Sequence, residues 1–208
     1  MDDNKVVIIP ATPEHVDDVA KLHQQEIPSL LSLLTFPLIN LYYLNSCFDD
    51  RLIFRVLLDD SKVAGFYLAS TDANFSHVKL LLRRPWSFVR RLLKLRDSLV
   101  LLARILLTRG QVPDVMPKAK LLYLAVQRRY RGRGVGKILL VDLFRTMRTH
   151  SVKSIGVHIE EGNEDAIGFY KAMGGKILSN FYSAGRNITI MSFDTTVASN
   201  AETDHNSR

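Results

Sequence analysis

The sequence predicts an α/β fold in which helices cover both faces of a mixed sheet. The first supporting observation is the order of elements that hydrophobic patterns indicate: a strand, helices, a hairpin, then strand–helix–strand–helix–strand–strand. The second is composition, since 47% of the 208 residues are apolar and 24% are charged, as in ordinary globular domains. We expect one domain over residues 1–194 and a disordered, small and polar tail over 195–208.

The N-terminal part of the chain predicts a short strand and a capped helix. The β-branched run over residues 6–9 ends at a proline. Thr12 followed by Pro13 is typical of a helix start, with Thr as N-cap and Pro at the first helical position. Residues 27–48 carry no charge, but their proline, asparagine and hydroxyl side chains argue against a membrane span. We therefore expect short helices there that cover a pocket.

The remaining elements follow from hairpin, alternation and capping patterns. Residues 52–58 and 62–69 flank the turn Asp59-Asp60-Ser61, which is the clearest hairpin signal in the chain. The other predicted elements are a strand over 121–126, an amphipathic helix from near Lys137, a strand over 154–159, a helix capped by Asn163 that ends at Gly174-Gly175, and strands over 177–182 and 187–193.

The single cysteine, Cys47, excludes a disulfide framework and a cysteine-based zinc site. It suits a reducing compartment. The acidic start Met1-Asp2-Asp3 lacks the basic and apolar regions of a secretory signal. Together these features predict a cytoplasmic protein.

The net charge of +7 is concentrated in two segments. Residues 79–109 carry nine basic residues and one acid, and residues 127–141 carry five basic residues and no acid. The rest of the chain is therefore net acidic. The two local excesses of positive charge, rather than the total, are informative about binding partners.

The second basic segment contains a glycine-rich loop, Arg131-Gly132-Arg133-Gly134-Val135-Gly136, between a predicted strand and a predicted helix. Glycines let the backbone approach an anion closely, and a helix N terminus offers unpaired N–H groups and the positive end of its dipole. Arg131, Arg133 and Lys137 add positive charge. The loop predicts a phosphate site, and a tight connection without a ligand is the alternative.

The spacing of the glycines and the residues that follow them exclude two common types of phosphate site. A P-loop would need Ser or Thr after its lysine, but Ile138 follows Lys137. A dinucleotide-binding fold would need Gly-x-Gly-x-x-Gly and an acidic residue about 20 positions later. The loop reads Gly-x-Gly-x-Gly, and Lys153 and Ser154 occupy the later region. Neither site type fits.

At this loop the sequence resembles the GNAT superfamily of N-acetyltransferases. The family motif Arg/Gln-x-x-Gly-x-Gly/Ala, after a strand ending in Leu-Ala-Val, appears as Leu124-Ala125-Val126 followed by residues 131–136. A second signature appears as Asn163, Ala166, Phe169-Tyr170 and Gly174. The resemblance covers about residues 5–74 and 118–193 and implies a mostly antiparallel central sheet. Two departures are Arg128, where Pro is common, and Gly175, where Phe is common.

The resemblance implies transfer of an acetyl group from acetyl-CoA, with no metal. Backbone amides of the loop would hold the pyrophosphate, the strand edge would pair with the pantetheine arm, and Asn163 would contact the cofactor. Tyr170 would lie beside the sulfur and protonate the thiolate, which a tyrosine pKa near 10 permits. The implied cofactor-binding residues are Leu124, Ala125, Val126, Arg131, Gly132, Arg133, Gly134, Val135, Gly136, Lys137 and Asn163.

A general base for the acceptor amine is harder to assign. Many relatives carry Glu about five residues ahead of the alanine matched by Ala125, but here Lys120 stands there. The nearest substitute is His158, which alternation places on the strand face opposite Val157, and an imidazole pKa near 6.5 suits proton transfer. A sheet histidine bonded to a carbonyl is the alternative. Lesser candidates are Glu160, Glu161, Tyr123 and Tyr67.

Residues 75–117 form an insertion where relatives need only a short connection. Apolar residues at helical spacing from Trp86 to Leu107 predict added helices. Three interpretations stay open: helices packed on the sheet with a solvated basic face, a cap whose arginines hold an anionic acceptor, or an amphipathic anchor through 79–109 on anionic lipid. Nucleic-acid binding is not expected, because no reading module accompanies the charge.

The sequence therefore predicts an N-acetyltransferase that acts directly on a primary amine of a small molecule, such as an amino-sugar nucleotide. A protein N terminus or lysine is the second acceptor. A non-catalytic acyl-CoA-binding regulator or membrane adaptor is the alternative of a different class, because Lys120 occupies the base position. Cys47 lies away from both motifs, so we expect no acyl-enzyme intermediate.

Overall fold

The structure, a computed structural model, describes residues 6–29, 31–72, 75–83, 117–160, 162–183 and 186–196. Three sequence predictions lie wholly or mostly outside these residues: the added helices from Trp86 to Leu107, the tail over 195–208 beyond residue 196, and the candidate base Glu161.

The described strands form one seven-stranded sheet. They are β1 (Val7–Pro10), β2 (Leu52–Asp59), β3 (Lys62–Ser70), β4 (Ala119–Val126), β5 (Ser154–Glu160), β6 (Lys176–Ser183) and β7 (Arg186–Asp194). Their spatial order is β1-β2-β3-β4-β5-β7-β6. Each neighbouring pair is antiparallel except β4 and β5, which are parallel. The predicted mixed, mostly antiparallel sheet is confirmed.

Five α-helices pack around this sheet in the described part of the chain. They are α1 (Val16–Glu26), α2 (Phe36–Ser46), α3 (His77–Leu81), α4 (Val135–Thr149) and α5 (Glu164–Ala172). Short 3-10 turns precede α1, α2 and the glycine loop. None of the helices in the described ranges is long and apolar enough to cross a membrane.

The two faces of the sheet contribute to two separate cores. Phe66 and Leu68 of β3 pack on the face that α1 and α2 cover, whereas Tyr67 and Ala69 pack on the face that α4 covers. The predicted apolar stripe of α4 is buried in the second core: Leu139, Leu140, Leu143, Phe144 and Met147. Helices on both faces are therefore confirmed.

A bulge in β4 opens the sheet next to β5. In the β3–β4 register, Leu68 pairs with Tyr123 but Ala69 pairs with Leu121, so Leu122 is an extra residue on β4. Such a bulge bends its strand and increases the local twist. The parallel pairing of β4 with β5 covers only Ala119–Leu121, and the strands separate beyond it.

Candidate active site

The main pocket lies where β4 and β5 separate, and its volume is about 430 Å³. Leu121–Leu124 of β4 and Val157–Glu160 of β5 form two of its walls. The others come from α5, from α3 and from the connection between α1 and α2. Of residues 27–48, which were expected to cover a pocket, those lining this one lie between Ile27 and Leu34, and no residue of α2 is among the lining residues.

The glycine loop ends in the N terminus of α4. Gly132 and Gly134 have left-handed φ angles of +72° and +79°. A Cβ at either position would meet nothing within 4 Å, so backbone conformation rather than space requires glycine there. Gly134 is the N-cap residue of α4, and among the described residues no side chain caps this helix. The first-turn N–H groups of α4 are thus suited to an anion.

Part of the positive charge at this loop is paired within the protein. Glu26, at the end of α1, has a side chain that is only 7% exposed. Its Oε2 lies 2.6 Å from Arg131 Nη2 and 3.6 Å from Arg128 Nε. Sequence reasoning missed Glu26 because α1 is remote from the motif along the chain. Arg133 and Lys137 remain exposed beside the uncapped helix end.

Tyr170 and Asn163 both line the pocket from α5. Burial raises the pKa of Tyr170 well above its usual value. The phenol is therefore neutral at pH 7, but it gives up its proton less readily than a tyrosine with the pKa near 10 expected from the sequence. Asn163 is also the N-cap of α5, and its side-chain oxygen accepts a hydrogen bond from the Ala166 amide at 3.2 Å.

Gly175, which departs from the phenylalanine common in relatives, follows α5 where space is limited. A Cβ on Gly175 would lie 2.8 Å from the Tyr170 carbonyl oxygen, which explains why glycine occupies this position.

His158 extends from β5 towards the pocket, while its neighbours Val157 and Ile159 are buried in the second core. The predicted alternation is confirmed. Its ring is open to the pocket, yet the surrounding protein and the nearby Lys120 ammonium lower the pKa of His158 to about 4. Burial likewise lowers the pKa of Lys120. His158 is therefore neutral at pH 7 and accepts protons only weakly.

A second histidine, His77 of α3, lines the same pocket. Its Nδ1 lies 2.8 Å from the hydroxyl oxygen of the buried Tyr42, and the two rings stack with centroids 5.7 Å apart. Burial, the Lys120 ammonium, and repulsion from His158 when that ring is also protonated lower the pKa of His77 to about 4. Sequence reasoning did not identify His77, since no motif contains it.

A chain of hydrogen bonds fixes the connection between α1 and α2. His23 Nε2 lies 3.0 Å from Ser29 Oγ, which lies 2.9 Å from Ser32 Oγ, and Ser32 donates to the carbonyl of Ile27. Because a carbonyl only accepts, Ser29 must donate to Ser32 and His23 to Ser29. Nδ1 of His23 then accepts from Tyr43 at 2.6 Å. Ser29 is thus not activated by His23 as a base.

The structure argues against catalytic roles for two further residues, Tyr67 and Cys47. The hydroxyl of Tyr67 donates to Asp142 at 2.8 Å in the core beneath α4, so Tyr67 is not a base in the pocket. Burial raises the pKa of the Cys47 thiol to about 11, which keeps it protonated. Within the described ranges, no group of three His, Cys, Asp or Glu residues could hold a metal ion.

Comparison with protein families matches the acetyltransferase (GNAT) family over residues 17–174. No curated protein matches the sequence. The fold is similar to that of the ribosomal-protein-S18-alanine N-acetyltransferase from Escherichia coli, with TM-score 0.59, 14% identity, and coverage of 92% of this chain and 94% of that one.

Two further solved structures are similar and were determined with a bound cofactor. NAA60 from Arabidopsis thaliana in complex with acetyl-CoA has TM-score 0.60 and 16% identity, covering 91% of this chain and 98% of that one. The PaiA N-acetyltransferase from Thermoplasma acidophilum in complex with coenzyme A has TM-score 0.58 and 14% identity, covering 91% and 99%. At sequence identities of 14–16%, these similarities show that the fold is shared.

Proposed function

The chain belongs to the acetyltransferase (GNAT) family, and on that premise we propose that it transfers an acetyl group from acetyl-CoA directly to a primary amine of a small molecule. The observation that carries the proposal is the continuity of three features. Tyr170 and the separated part of β4 line one pocket. Glu26, which also lines this pocket, binds Arg131 in the loop that leads to the N terminus of α4, where no side chain of the described residues caps the helix. The two neighbours solved with acetyl-CoA or coenzyme A support the choice of cofactor.

Each part of the cleft has a role in this proposal. Backbone amides of residues 131–137 bind the pyrophosphate, with Arg133 and Lys137 beside them. Backbone groups of β4 beyond Leu121, which are not paired with β5, bond to the pantetheine amides. Glu26 holds Arg131 against α1 and so orients the loop.

The reaction needs two proton movements. The neutral amine nitrogen attacks the thioester carbon, the C–S bond breaks, and Tyr170 donates its proton to the leaving thiolate. The proton from the attacking nitrogen passes to His158, or through water to His77. Both imidazoles are neutral at pH 7, because their pKa values are lowered to about 4, and as weak bases they pass the proton on to water.

Kinetics distinguish direct transfer from an acyl-enzyme route. Initial velocities measured against acetyl-CoA at several amine concentrations are expected to give intersecting double-reciprocal lines, because both substrates occupy the cleft together. Parallel lines, with an acetylated protein detected by mass spectrometry, would contradict direct transfer. Cys47→Ala should leave the rate unchanged, since its thiol stays protonated.

One observation favours a second candidate, a non-catalytic acyl-CoA-binding regulator. Lys120, between Ser70 and Gly156 in the sheet, stands where many relatives carry a glutamate base. In that case acetyl-CoA would bind, but amines would not increase the release of CoA.

A further inference from the structure

Part of the main pocket is not needed for acetyl-CoA as placed above. The proposed cofactor track follows β4, the glycine loop and α5, whereas the wall formed by the α1–α2 connection and α3 makes no part of it. We call this the apolar wall, defined by Ile27, Leu31, Leu34, Val78, Leu81 and Leu82.

The apolar wall exposes aliphatic surface to the pocket. Leu82 keeps 47% of its surface exposed, although its neighbours Leu80 and Leu81 are buried. Aliphatic surface in water costs free energy that a ligand with a matching surface would recover. A concave wall of this kind is typical of a small-molecule site.

The polar groups beside the wall are already bonded within the protein. Ser29 lies in the chain from His23 to Ser32, and Nδ1 of His77 is bonded to Tyr42. Both groups therefore contribute to the shape of the pocket, and they have less hydrogen-bonding capacity left for a strongly polar acceptor.

The charged side chains that line the described part of the pocket are both carboxylates. They are Glu26, held by Arg131, and Glu160 on β5. No arginine or lysine is among the described lining residues. Placing a phosphate or carboxylate against these aliphatic side chains is unfavourable in desolvation, because no cation among the described lining residues would offset the cost.

We propose that the apolar wall is the acceptor subsite and that the acceptor is a small primary amine with an apolar carbon skeleton, such as an alkylamine or an arylalkylamine. This inference rests on the proposed acetyltransferase function. It differs from the amino-sugar nucleotide that the sequence suggested, because that acceptor needs cations that the described walls do not supply.

The test is a series of amines assayed with the full chain and acetyl-CoA. From butylamine to hexylamine, kcat/KM should rise about two- to fourfold per methylene, as expected for burial of each CH₂. The matched amine 6-aminohexanoate should react at least about tenfold more slowly than hexylamine because its carboxylate meets the apolar wall.

Variants distinguish a specific role of the apolar wall from general effects of substitution on the protein. Leu82→Ser should lower kcat/KM for hexylamine about tenfold and flatten the chain-length dependence, without changing the KM for acetyl-CoA. The control is Ile177→Ser on β6, where a similarly exposed side chain (46%) lies away from the pocket. The control should retain the wild-type chain-length dependence.

Four results would overturn the proposal. Faster turnover of an amino-sugar nucleotide than of hexylamine, or no chain-length dependence among reacting amines, would reject the subsite but leave the transferase. A preference for octanoyl-CoA over acetyl-CoA that Leu82→Ser removes would assign the wall to the acyl chain instead. Failure of all amines, with acetyl-CoA still bound, would reject the proposed function and the subsite with it.

Discussion

In the proposed mechanism, protonation of the leaving thiolate depends on Tyr170. Tyr170→Phe removes the hydroxyl and keeps the ring packed against Phe169 and Phe193. We expect kcat to fall about 100-fold or more, the usual contribution of a general acid, while the calorimetric Kd for acetyl-CoA changes less than about twofold. Tyr182→Phe, at an exposed tyrosine on β6, is the control. Unchanged turnover in Tyr170→Phe would remove Tyr170 from the mechanism.

A substitution at Gly134 tests whether the glycine loop binds the phosphates of acetyl-CoA. Its φ of +79° costs an alanine roughly 1–2 kcal/mol, so Gly134→Ala should shift the loop and weaken acetyl-CoA binding about tenfold. Gly168→Ala, within α5, is the matched control, because its added Cβ meets nothing within 4 Å and helix propensity favours alanine. Wild-type affinity in Gly134→Ala would exclude this loop as the cofactor site.

Site residues could be predicted from the sequence where they belong to a motif. They could not be predicted where only tertiary contacts bring them to the site. The motifs led to Tyr170, Asn163 and the loop glycines as candidate site residues. Glu26 and His77 reach the cleft only because α1 and α3 pack beside it, and no local pattern marks them. Tyr67 was considered as a base because a strand sequence does not say which face borders a pocket.

Among the secondary-structure elements, the separation of β4 from β5 forms the cleft. Because β4 beyond Leu121 is not paired with β5, pantetheine should protect its amides when acetyl-CoA binds. Hydrogen–deuterium exchange should slow in peptides covering 122–126. Peptides covering the β2–β3 hairpin serve as the control. Unchanged exchange in 122–126 at saturating acetyl-CoA would show that the cofactor does not lie along β4.

Most elements were predictable because their own residues specify them. The hairpin turn, the Thr12-Pro13 start and the apolar stripe of α4 led to correct elements, with α4 beginning two residues earlier than expected because Gly134 ends the loop. The bulge at Leu122 was not predictable, since a strand pattern does not reveal an extra residue in its register. The opening of the cleft therefore required the structure.

Three histidines give the whole molecule a pH-dependent stability. Burial lowers the pKa of His23 to about 3, and the pKa values of His77 and His158 lie near 4, against 6.5 in the unfolded chain. The unfolded chain thus binds protons more tightly, so the free energy of unfolding is greatest above pH 6.5 and falls as pH drops towards 4.

Urea denaturation at pH 7.5 and 4.5 measures this effect. The fully buried His23 alone should account for about 3 kcal/mol of the difference. His23→Gln removes that titration, so the difference between the two pH values should shrink even if the variant is less stable at both. An unchanged difference would show that His23 is not the group responsible.

At the scale of the whole chain, the distribution of charge indicated more about binding partners than about the fold. Residues 127–141, with five basic residues and no acid, include the glycine loop. Glu26 pairs with two of these arginines, so not all of the positive charge is available to phosphate. The family followed from two motifs read together. The acceptor did not, because the apolar wall proposed to bind it combines the α1–α2 connection with α3, which are distant along the chain.

Amine-dependent acetyl transfer by the purified full chain tests the proposed function most directly. Release of CoA from acetyl-CoA would be followed with and without a primary amine, and the N-acetylated product would be identified by mass spectrometry. We predict at least about tenfold faster release with the amine and one N-acetyl product per CoA. Saturable acetyl-CoA binding with no amine-stimulated release would contradict catalysis and indicate a CoA-binding protein.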